Sequence, residues 1–275
     1  MKIKIQKDSV LKRQLLQLEI ALVIDNTGSM AGEISQVRTR LKDLVNRIRE
    51  HELKLKPKFA IIGYRDHPPQ DSTFVARTFS ELEADSALVQ KALNQMGASG
   101  GGDGPEAVVD GLQQAMELHW AQSAQKAILL IGDSPPHGEG ASGDGFATGC
   151  PCGGNMRQIA KQMSLLSITG HAVGVGVNSV MRQSFSNFAK STGGIYVSLS
   201  EVTDLIPLLL RHIDAEISKI ATDLRTIEKL ERGDVISDDD LESLRRLEKK
   251  GVRPITVDSD SKDVVLKKPR IRILK

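Results

Sequence analysis

The sequence has little net charge, few cysteines and no long apolar run, and each absence excludes a class of protein. Lysine and arginine total 37 against 35 aspartate and glutamate, so a net charge of +2 does not indicate a surface built for nucleic acid or membrane. No segment approaches the roughly 18 apolar residues of a membrane span. The first five residues alternate, whereas a signal peptide is continuously apolar. We therefore expect a soluble cytoplasmic protein.

The two cysteines, Cys150 and Cys152, lie two positions apart in a glycine-rich stretch. A structural zinc site usually needs four Cys or His ligands, so this pair supplies only half of one. Loop cysteines in a reducing compartment are the simpler interpretation. A redox or metal role is the alternative.

The alternation of apolar runs with helical patterns predicts an α/β fold. A chain of 275 residues, 40% of them hydrophobic, can bury one ample core. We predict a doubly wound, mostly parallel six-stranded sheet with helices on both faces. The predicted strands are 18–25, 58–64, 73–79, 127–133, 171–177 and 195–198. The predicted helices are 30–48, 80–96, 105–120, 155–169, 180–192 and 203–230, with Ser80 as the N-cap of the second.

Four regions are predicted along the chain: a basic segment (1–14), the α/β domain (15–215), a helical extension (216–251) and a basic tail (252–275). The extension carries an isoleucine and leucine stripe on a helix that ends near Leu230, and Ser237 is predicted to cap a second short helix that carries Leu241, Leu244 and Leu247. The two helices are expected to pack as a hairpin; alternatively, the stripe self-associates. The tail is expected to be solvated, with nucleic-acid binding as the alternative. Alternation at 1–5 and 270–273 would permit the two ends to pair as strands.

Oxygen-bearing side chains follow two of the predicted strands. Asp25, Thr27 and Ser29 occupy alternate positions on a strand-to-helix turn, and Asp133 ends another apolar strand. Asp103 lies in a glycine-rich loop that precedes a helix. Because ligands of doubly wound sheets bind beyond the carboxyl ends of the strands, these groups are expected to meet at one edge. Hard oxygen donors are the ligands that Mg²⁺ selects, so the sequence predicts a metal site.

Four ordered motifs resemble those of von Willebrand factor A domains, with their metal-ion-dependent adhesion site, abbreviated MIDAS. The resemblance is strongest to the A domains found beside alpha-type kinases and in related prokaryotic proteins, and it covers roughly residues 15–215. The motifs are Asp25-Asn26-Thr27-Gly28-Ser29-Met30, Gly63-Tyr64-Arg65-Asp66-His67, Gly101-Gly102-Asp103-Gly104-Pro105-Glu106-Ala107 and Ile131-Gly132-Asp133-Ser134-Pro135-Pro136-His137-Gly138.

The resemblance implies a role for each matching position. Thr27 and Ser29 would be hydroxyl ligands, Asp25 a direct or water-bridged carboxylate, and Asp133 would act mainly through water. Asp103 stands where the family usually has a threonine, so this chain offers an extra carboxylate.

Two further acids are assigned supporting places. Glu106 is an alternative donor in the second loop, although its place at a helix start favours capping of the first turn. Asp66 is expected to hold a ligand or the neighbouring loop from behind.

The resemblance implies a protein-interaction function. A bound Mg²⁺, Mn²⁺ or Ca²⁺ would keep an exchangeable position that a Glu or Asp of a partner fills, which makes the chain an adaptor for a kinase, an ATPase or an effector. The loop 134–154, with His137 and Asp144, is expected to border the site and contact the partner; a mobile insertion is the alternative.

The other function classes are an enzyme subunit that uses the metal for phosphoryl or hydrolytic chemistry, and a scaffold whose tail holds nucleic acid. His67 and His137 are the only candidate bases near the predicted edge. The sequence has neither a P-loop nor a glycine-rich kinase loop, so we predict that the chain is not an enzyme.

Overall fold

A computed structural model of the chain describes residues 2–3, 17–32, 34–50, 55–199, 205–232, 234–249, 253–255 and 263–267. The strands are β1 (Lys2–Ile3), β2 (Gln17–Asp25), β3 (Lys56–Tyr64), β4 (Ala76–Glu83), β5 (Gln125–Gly132), β6 (Ile168–Val175), β7 (Tyr196–Leu199), β8 (Arg253–Ile255) and β9 (Asp263–Lys267). The helices are α1 (Ile34–Arg49), α2 (Ser86–Gln95), α3 (Val108–Met116), α4 (Met156–Leu165), α5 (Ser179–Ser191), α6 (Leu205–Arg232) and α7 (Asp238–Lys249).

The main sheet has six strands in the order β4-β3-β2-β5-β6-β7. Every neighbouring pair is parallel except β3 and β4, so the antiparallel strand lies at one edge. The central strands are continuously apolar because helices cover both faces. The predicted fold class is confirmed.

Two apolar cores lie on opposite faces of this sheet. One contains buried side chains of α1, α2 and α6, and the other contains those of α3, α4 and α5. Ile24 and Ile131, next to the carboxyl ends of β2 and β5, are fully buried on the first face. The packing of both faces fixes the height at which these two strands end, and hence the place of the residues that follow them.

The prediction that a helix begins at Ser80 is wrong. Residues 80–83 belong to the edge strand β4, and α2 begins at Ser86. The N-cap is Asp85, whose side chain accepts a hydrogen bond from the backbone N–H of Ala87 at 2.8 Å. Ser80 and Glu83 have the spacing of a capping box, but the same spacing occurs in a polar edge strand.

The helical extension is a hairpin of α6 and α7. Ile217 and Ile220 of the predicted stripe pack into the sheet core, whereas Ile227 and Leu230 pack with Leu247 of α7. Leu241, which the sequence predicts to pack here, is 48% exposed. Because α6 is continuous across residue 215, the predicted boundary at 215/216 does not coincide with a break between elements.

A second, three-stranded sheet has the order β1-β9-β8. Lys2 and Ile3 pair in parallel with Asp263 and Val264, so the amino-terminal strand does pair with a strand near the other end. The segment 270–273, for which this pairing is predicted, lies outside the described residues. Within the described part of the chain, no helix is both long and apolar enough to cross a membrane.

Candidate metal centre

The turn after β2 brings three oxygen-bearing side chains together. The backbone N–H of Thr27 donates to Asp25 Oδ1 at 2.8 Å, and its hydroxyl donates to the same atom at 2.6 Å. The Ser29 hydroxyl lies 3.0 Å from the Thr27 hydroxyl. Asp25 and Thr27 are buried, whereas Ser29 is exposed in the 3-10 turn Gly28–Ala31. The group is therefore fixed on its inner side and open at Ser29.

Asp133 joins this group from the neighbouring strand. β2 and β5 are parallel neighbours in which Ile24 pairs with Ile131, so the residues that follow them lie at the same edge. Asp133 Oδ1 accepts hydrogen bonds from the hydroxyls of Ser29 and Ser134, both at 3.0 Å. Four of the five predicted metal-site residues, all except Asp103, thus form one continuous chain of contacts.

The buried acids at this edge lack a compensating positive charge. Burial, reinforced by Asp133, raises the pKa of Asp25 from 3.8 to about 7, although hydrogen bonds from Thr27 oppose the shift. Burial, reinforced by Asp25 and other acids, raises the pKa of Glu106 from 4.5 to about 10. Among the described residues, no lysine or arginine forms an ion pair with Asp25, Glu106 or Asp133.

Several buried oxygens at the edge have no hydrogen-bond partner, among them Asp25 Oδ2 and Glu106 Oε2. The Tyr64 hydroxyl lies close to Asp25 but donates its hydrogen bond to the Ile131 carbonyl at 3.5 Å. Unpartnered buried carboxylate oxygens are costly unless a cation or a donor satisfies them. The residues present at this edge therefore fit a divalent cation.

Glu106 does not cap a helix. The helix α3 begins at Val108 without a side-chain cap, and the acid in its first turn is Asp110. Glu106 is buried, and its backbone N–H donates to the Pro135 carbonyl at 2.9 Å. This contact joins the loop that carries Asp103 to the loop 134–154. The Glu106 side chain therefore points inward among the acids, while its backbone aligns the two loops.

Asp103 contacts the long loop 134–154. Its Oδ2 accepts from the backbone N–H of Gly145 at 2.6 Å and from Gln70 Nε2 at 3.4 Å. One carboxylate oxygen of Asp103 and one of Asp66 lie within 4.8 Å of each other and of a ring nitrogen of His137. The described hydrogen bonds of Asp103 therefore run to Gly145 and Gln70 and not to Ser29, and its role as a metal ligand stays a prediction.

His137 is held between two carboxylates. Its Nε2 lies 2.7 Å from Asp66 Oδ1 and its Nδ1 lies 2.8 Å from Asp144 Oδ1, and all three side chains are 0% exposed. Burial alone would lower the pKa of His137, but the hydrogen bonds to Asp66 and Asp144 raise it above its ordinary value. The structure differs here from the expectation that His137 and Asp144 face a partner, because the two side chains hold the loop from inside.

The glycine-rich loop that carries Asp103 is held by residues whose role the sequence hardly indicates. Arg65 follows β3 and places its guanidinium 3.6 Å from Asp71 Oδ2 and 2.7 Å from the Ser99 hydroxyl. Asp71 Oδ2 also accepts from the backbone N–H of Gly101 at 3.3 Å. Gly100 and Gly101 have φ of 78° and 77°, a backbone conformation that glycine adopts without strain. Only the position of Arg65 directly after a strand could have suggested this role.

Comparison with known proteins supports the same assignment. The sequence profile of the von Willebrand factor A domain matches residues 19–139. The alpha-protein kinase vwkA of Dictyostelium discoideum is 24% identical over 153 residues, which are 55% of this chain and 24% of that protein. Residues 19–139 of this chain therefore match the von Willebrand factor A domain.

Solved structures share the fold of this A domain. Proximal thread matrix protein 1 from the mussel byssus, with a zinc-occupied MIDAS motif, superposes with a TM-score of 0.55 at 17% identity, over 74% of this chain and 46% of that one. A von Willebrand factor type A protein from Catenulispora acidiphila superposes with a TM-score of 0.51 at 19% identity, over 70% of this chain and 40% of that one. The chain spans less than half the length of each of these relatives. Identities this low establish the fold alone.

Proposed function

We propose that Asp25, Thr27, Ser29 and Asp133 bind one divalent cation, and that an acidic residue of a partner protein completes its coordination. The observation that supports this proposal is the combination of a buried, unpartnered oxygen on Asp25 with an exposed hydroxyl on Ser29. The Asp25 oxygen needs a positive charge that the described chain does not supply. The exposed Ser29 hydroxyl would leave that charge accessible from solvent.

The donor set favours a hard cation. The four residues offer carboxylate and hydroxyl oxygens only, which suits Mg²⁺, Mn²⁺ or Ca²⁺ better than a thiolate-preferring metal. Ser29 and Thr27 would hold the cation directly, while Asp25 and Asp133 would supply charge directly or through water. The cation would supply an electrophilic position for a carboxylate. Asp66, Asp103 and Glu106 would support the ligands and the loops behind them.

The loop 134–154 would select the partner through its exposed residues. Gly138, Glu139 and Gly140 are exposed near Asp133, while His137 and Asp144 hold the loop from beneath. A partner carboxylate that reaches Ser29 would pass this rim. The kinase, ATPase or effector predicted from the sequence would be recognised here.

We assign this domain a binding role without catalysis. Both ring nitrogens of His137 already face carboxylates, so neither is available to take a proton from a substrate. Turnover of a phosphoester panel in Mg²⁺ that disappears in Asp25→Ala would instead establish the enzyme alternative.

The test uses Mn²⁺ as the probe and the full chain as the protein. A titration is expected to give one bound Mn²⁺ per chain, and water-proton relaxation is expected to detect at least one exchangeable water on it. A short peptide with a single Glu should lower that relaxation, because its carboxylate displaces the water. The matched peptide with Gln should have no effect.

The Asp25→Ala variant is expected to lose the Mn²⁺ signal. Unchanged Mn²⁺ binding in Asp25→Ala would remove the cation site from this edge. Bound Mn²⁺ without any exchangeable water would refute completion by a partner, even though the cation binds.

A further inference from the structure

A second cluster of metal-ligating side chains lies beside the sheet edge that carries Asp25, Thr27, Ser29 and Asp133, here called the cation edge, and uses none of these residues. His67 comes from the loop after β3, Asp110 from the first turn of α3, and Cys150 and Cys152 from the end of the loop 134–154. His67 Nε2 lies 3.0 Å from Asp110 Oδ2 and 3.3 Å from Cys150 Sγ. Cys150 Sγ lies 3.0 Å from Asp110 Oδ2 and 2.9 Å from Cys152 Sγ.

The side chains of this cluster converge without the geometry of a catalytic relay. A thiol, a carboxylate and a ring nitrogen point at one another, and both the thiol and the carboxylate approach the same nitrogen of His67. In a Cys-His-Asp catalytic relay, the thiol and the carboxylate contact different ring nitrogens. The cluster therefore lacks the geometry of a relay, and Asp110 Oδ2 instead accepts from the Cys150 thiol and faces His67 Nε2.

We propose that His67, Asp110 and Cys150 bind a structural Zn²⁺, with Cys152 as the fourth ligand. Thiolate, imidazole and carboxylate are the ligand types that Zn²⁺ takes, and four of them match its tetrahedral preference. The cation edge offers only oxygen, so only this cluster can place thiolates on the ion.

The observed spacing is close to that of a zinc site. Zinc bond lengths of roughly 2.0–2.3 Å place tetrahedral ligand atoms about 3.3–3.8 Å apart. The three pairs among His67, Asp110 and Cys150 measure 3.0–3.3 Å, so each would open by about half an ångström on binding. Cys152 Sγ contacts Cys150 Sγ and would have to turn toward His67 and Asp110. Its sulfur already accepts a hydrogen bond from the backbone N–H of Gly154 at 3.4 Å, a contact that orients a thiolate.

The position of the cluster gives the ion a structural role. Cys150 and His67 are buried, while Cys152 and Asp110 are half-buried, so the ion would be shielded on its inner side. It would tie the end of the loop 134–154 to β3 and α3. The beginning of the same loop is held by the contact of His137 with Asp66, the residue that precedes His67. The two attachments would hold the loop against the cation edge.

The experiment measures metal in the full chain, purified without added metal and then loaded with Zn²⁺ after chelation. Elemental analysis is expected to find one Zn²⁺ per chain that survives gel filtration. Cys150→Ser should lower this content at least about tenfold, because a hydroxyl is a far weaker ligand for Zn²⁺. Asp25→Ala is the matched control and should retain the ion, since it removes a ligand of the other site only.

Two measurements on the unaltered protein keep the test independent of any variant's folding. Co²⁺ loaded in place of Zn²⁺ should give a thiolate-to-cobalt charge-transfer absorption with a tetrahedral d–d spectrum. Thiol titration in denaturant should find both cysteines reduced. Zinc content that is unchanged in Cys150→Ser, a cobalt spectrum without the thiolate band, or a disulfide between Cys150 and Cys152 would each overturn the proposal.

Discussion

Two groups of buried acids in this molecule, one at the cation edge and one in the α6–α7 hairpin, have opposite surroundings. At the edge, burial raises the pKa of Asp25 and of Glu106, and the described chain supplies no cation to either. In the hairpin, Asp240 lies 2.7 Å from Lys229 Nζ and accepts from Ser237, and these contacts lower its pKa despite the opposing effect of burial.

The difference distinguishes buried acids whose charge the fold compensates from buried acids whose charge it leaves uncompensated. Asp240 resembles Glu216 of α6, which is buried and lies 2.6 Å from Lys219 Nζ. Such acids stabilise the fold as soon as they ionise. Asp25 ionises only at a cost, unless a cation arrives. Burial alone therefore does not mark a candidate binding site; a group of buried acids without a compensating charge is the more informative signal.

The largest expected effect comes from removing the charge of Asp25. We predict that Asp25→Asn weakens Mn²⁺ binding by more than about a hundredfold, because a ligand and the site's main charge are lost together. Without metal, the same variant should be at least as stable as the wild type, because the asparagine needs no ionisation. Isothermal titration and urea unfolding measure the two effects. Asp234→Asn, at an exposed position, is the matched control. A strongly destabilised metal-free Asp25→Asn would erase the contrast with the hairpin.

Stabilisation by Mg²⁺ should increase with pH. The folded pKa of Asp25, about 7, lies above its ordinary value of 3.8, so ionisation is disfavoured in the fold. The stability of the metal-free protein therefore falls between about pH 4 and pH 7, and the ionised form that Mg²⁺ needs becomes populated through the same window. At a hundred times the Kd, Mg²⁺ should contribute about 2.7 kcal/mol above pH 7 and less at pH 5. Thermal unfolding with Mg²⁺ and with EDTA measures this; a pH-independent difference would contradict it.

The hairpin acid should respond in the opposite direction. We predict that Asp240→Asn lowers the free energy of unfolding by about 1–3 kcal/mol, because Lys229 and Ser237 lose a charged acceptor. Since the folded pKa of Asp240 lies below 3.8, this stabilisation is present above about pH 4 and is lost at lower pH. Urea unfolding at neutral pH measures the loss, with Asp239→Asn, an exposed neighbour, as control. A change in Mn²⁺ affinity in Asp240→Asn would show that the two regions are coupled.

The smallest expected effect is at the N-cap of α7. The Ser237 hydroxyl donates to Asp240 Oδ2 at 2.8 Å, while the backbone N–H of Asp240 points back to Ser237 Oγ at 3.4 Å. Ser237→Ala should lower the free energy of unfolding by about 1 kcal/mol and leave Mn²⁺ binding unchanged. Chemical denaturation and metal titration check both parts, and an unchanged stability would show that Ser237 does not cap the helix.

The sequence predicts that Asp25 and Asp133 lie at one edge because strand ends are simple to align. Asp25 and Asp133 each follow an apolar strand, and neighbouring parallel strands end at the same edge. Contacts between loops lack such a rule. The turn of Asp103 toward Gly145, and the meeting of His67 with Asp110 and Cys150, depend on how three distant segments fold back. No spacing in the sequence encodes them, and only the pair Cys150 and Cys152 gave a signal.

The same reasoning explains the error at Ser80. A capping box is a local pattern, and local patterns are overridden where an edge strand needs polar residues that alternate with apolar ones. At Ser237 the local pattern and the tertiary packing agree, and the predicted cap is confirmed.

Anomalous diffraction from crystals soaked in Mn²⁺ tests the central claim most directly. The account predicts one peak at the edge, within coordination distance of the Ser29 and Thr27 hydroxyls and next to Asp25 and Asp133, with at least one coordination position that faces solvent. No peak at this edge, or a cation fully enclosed by protein ligands, would contradict it.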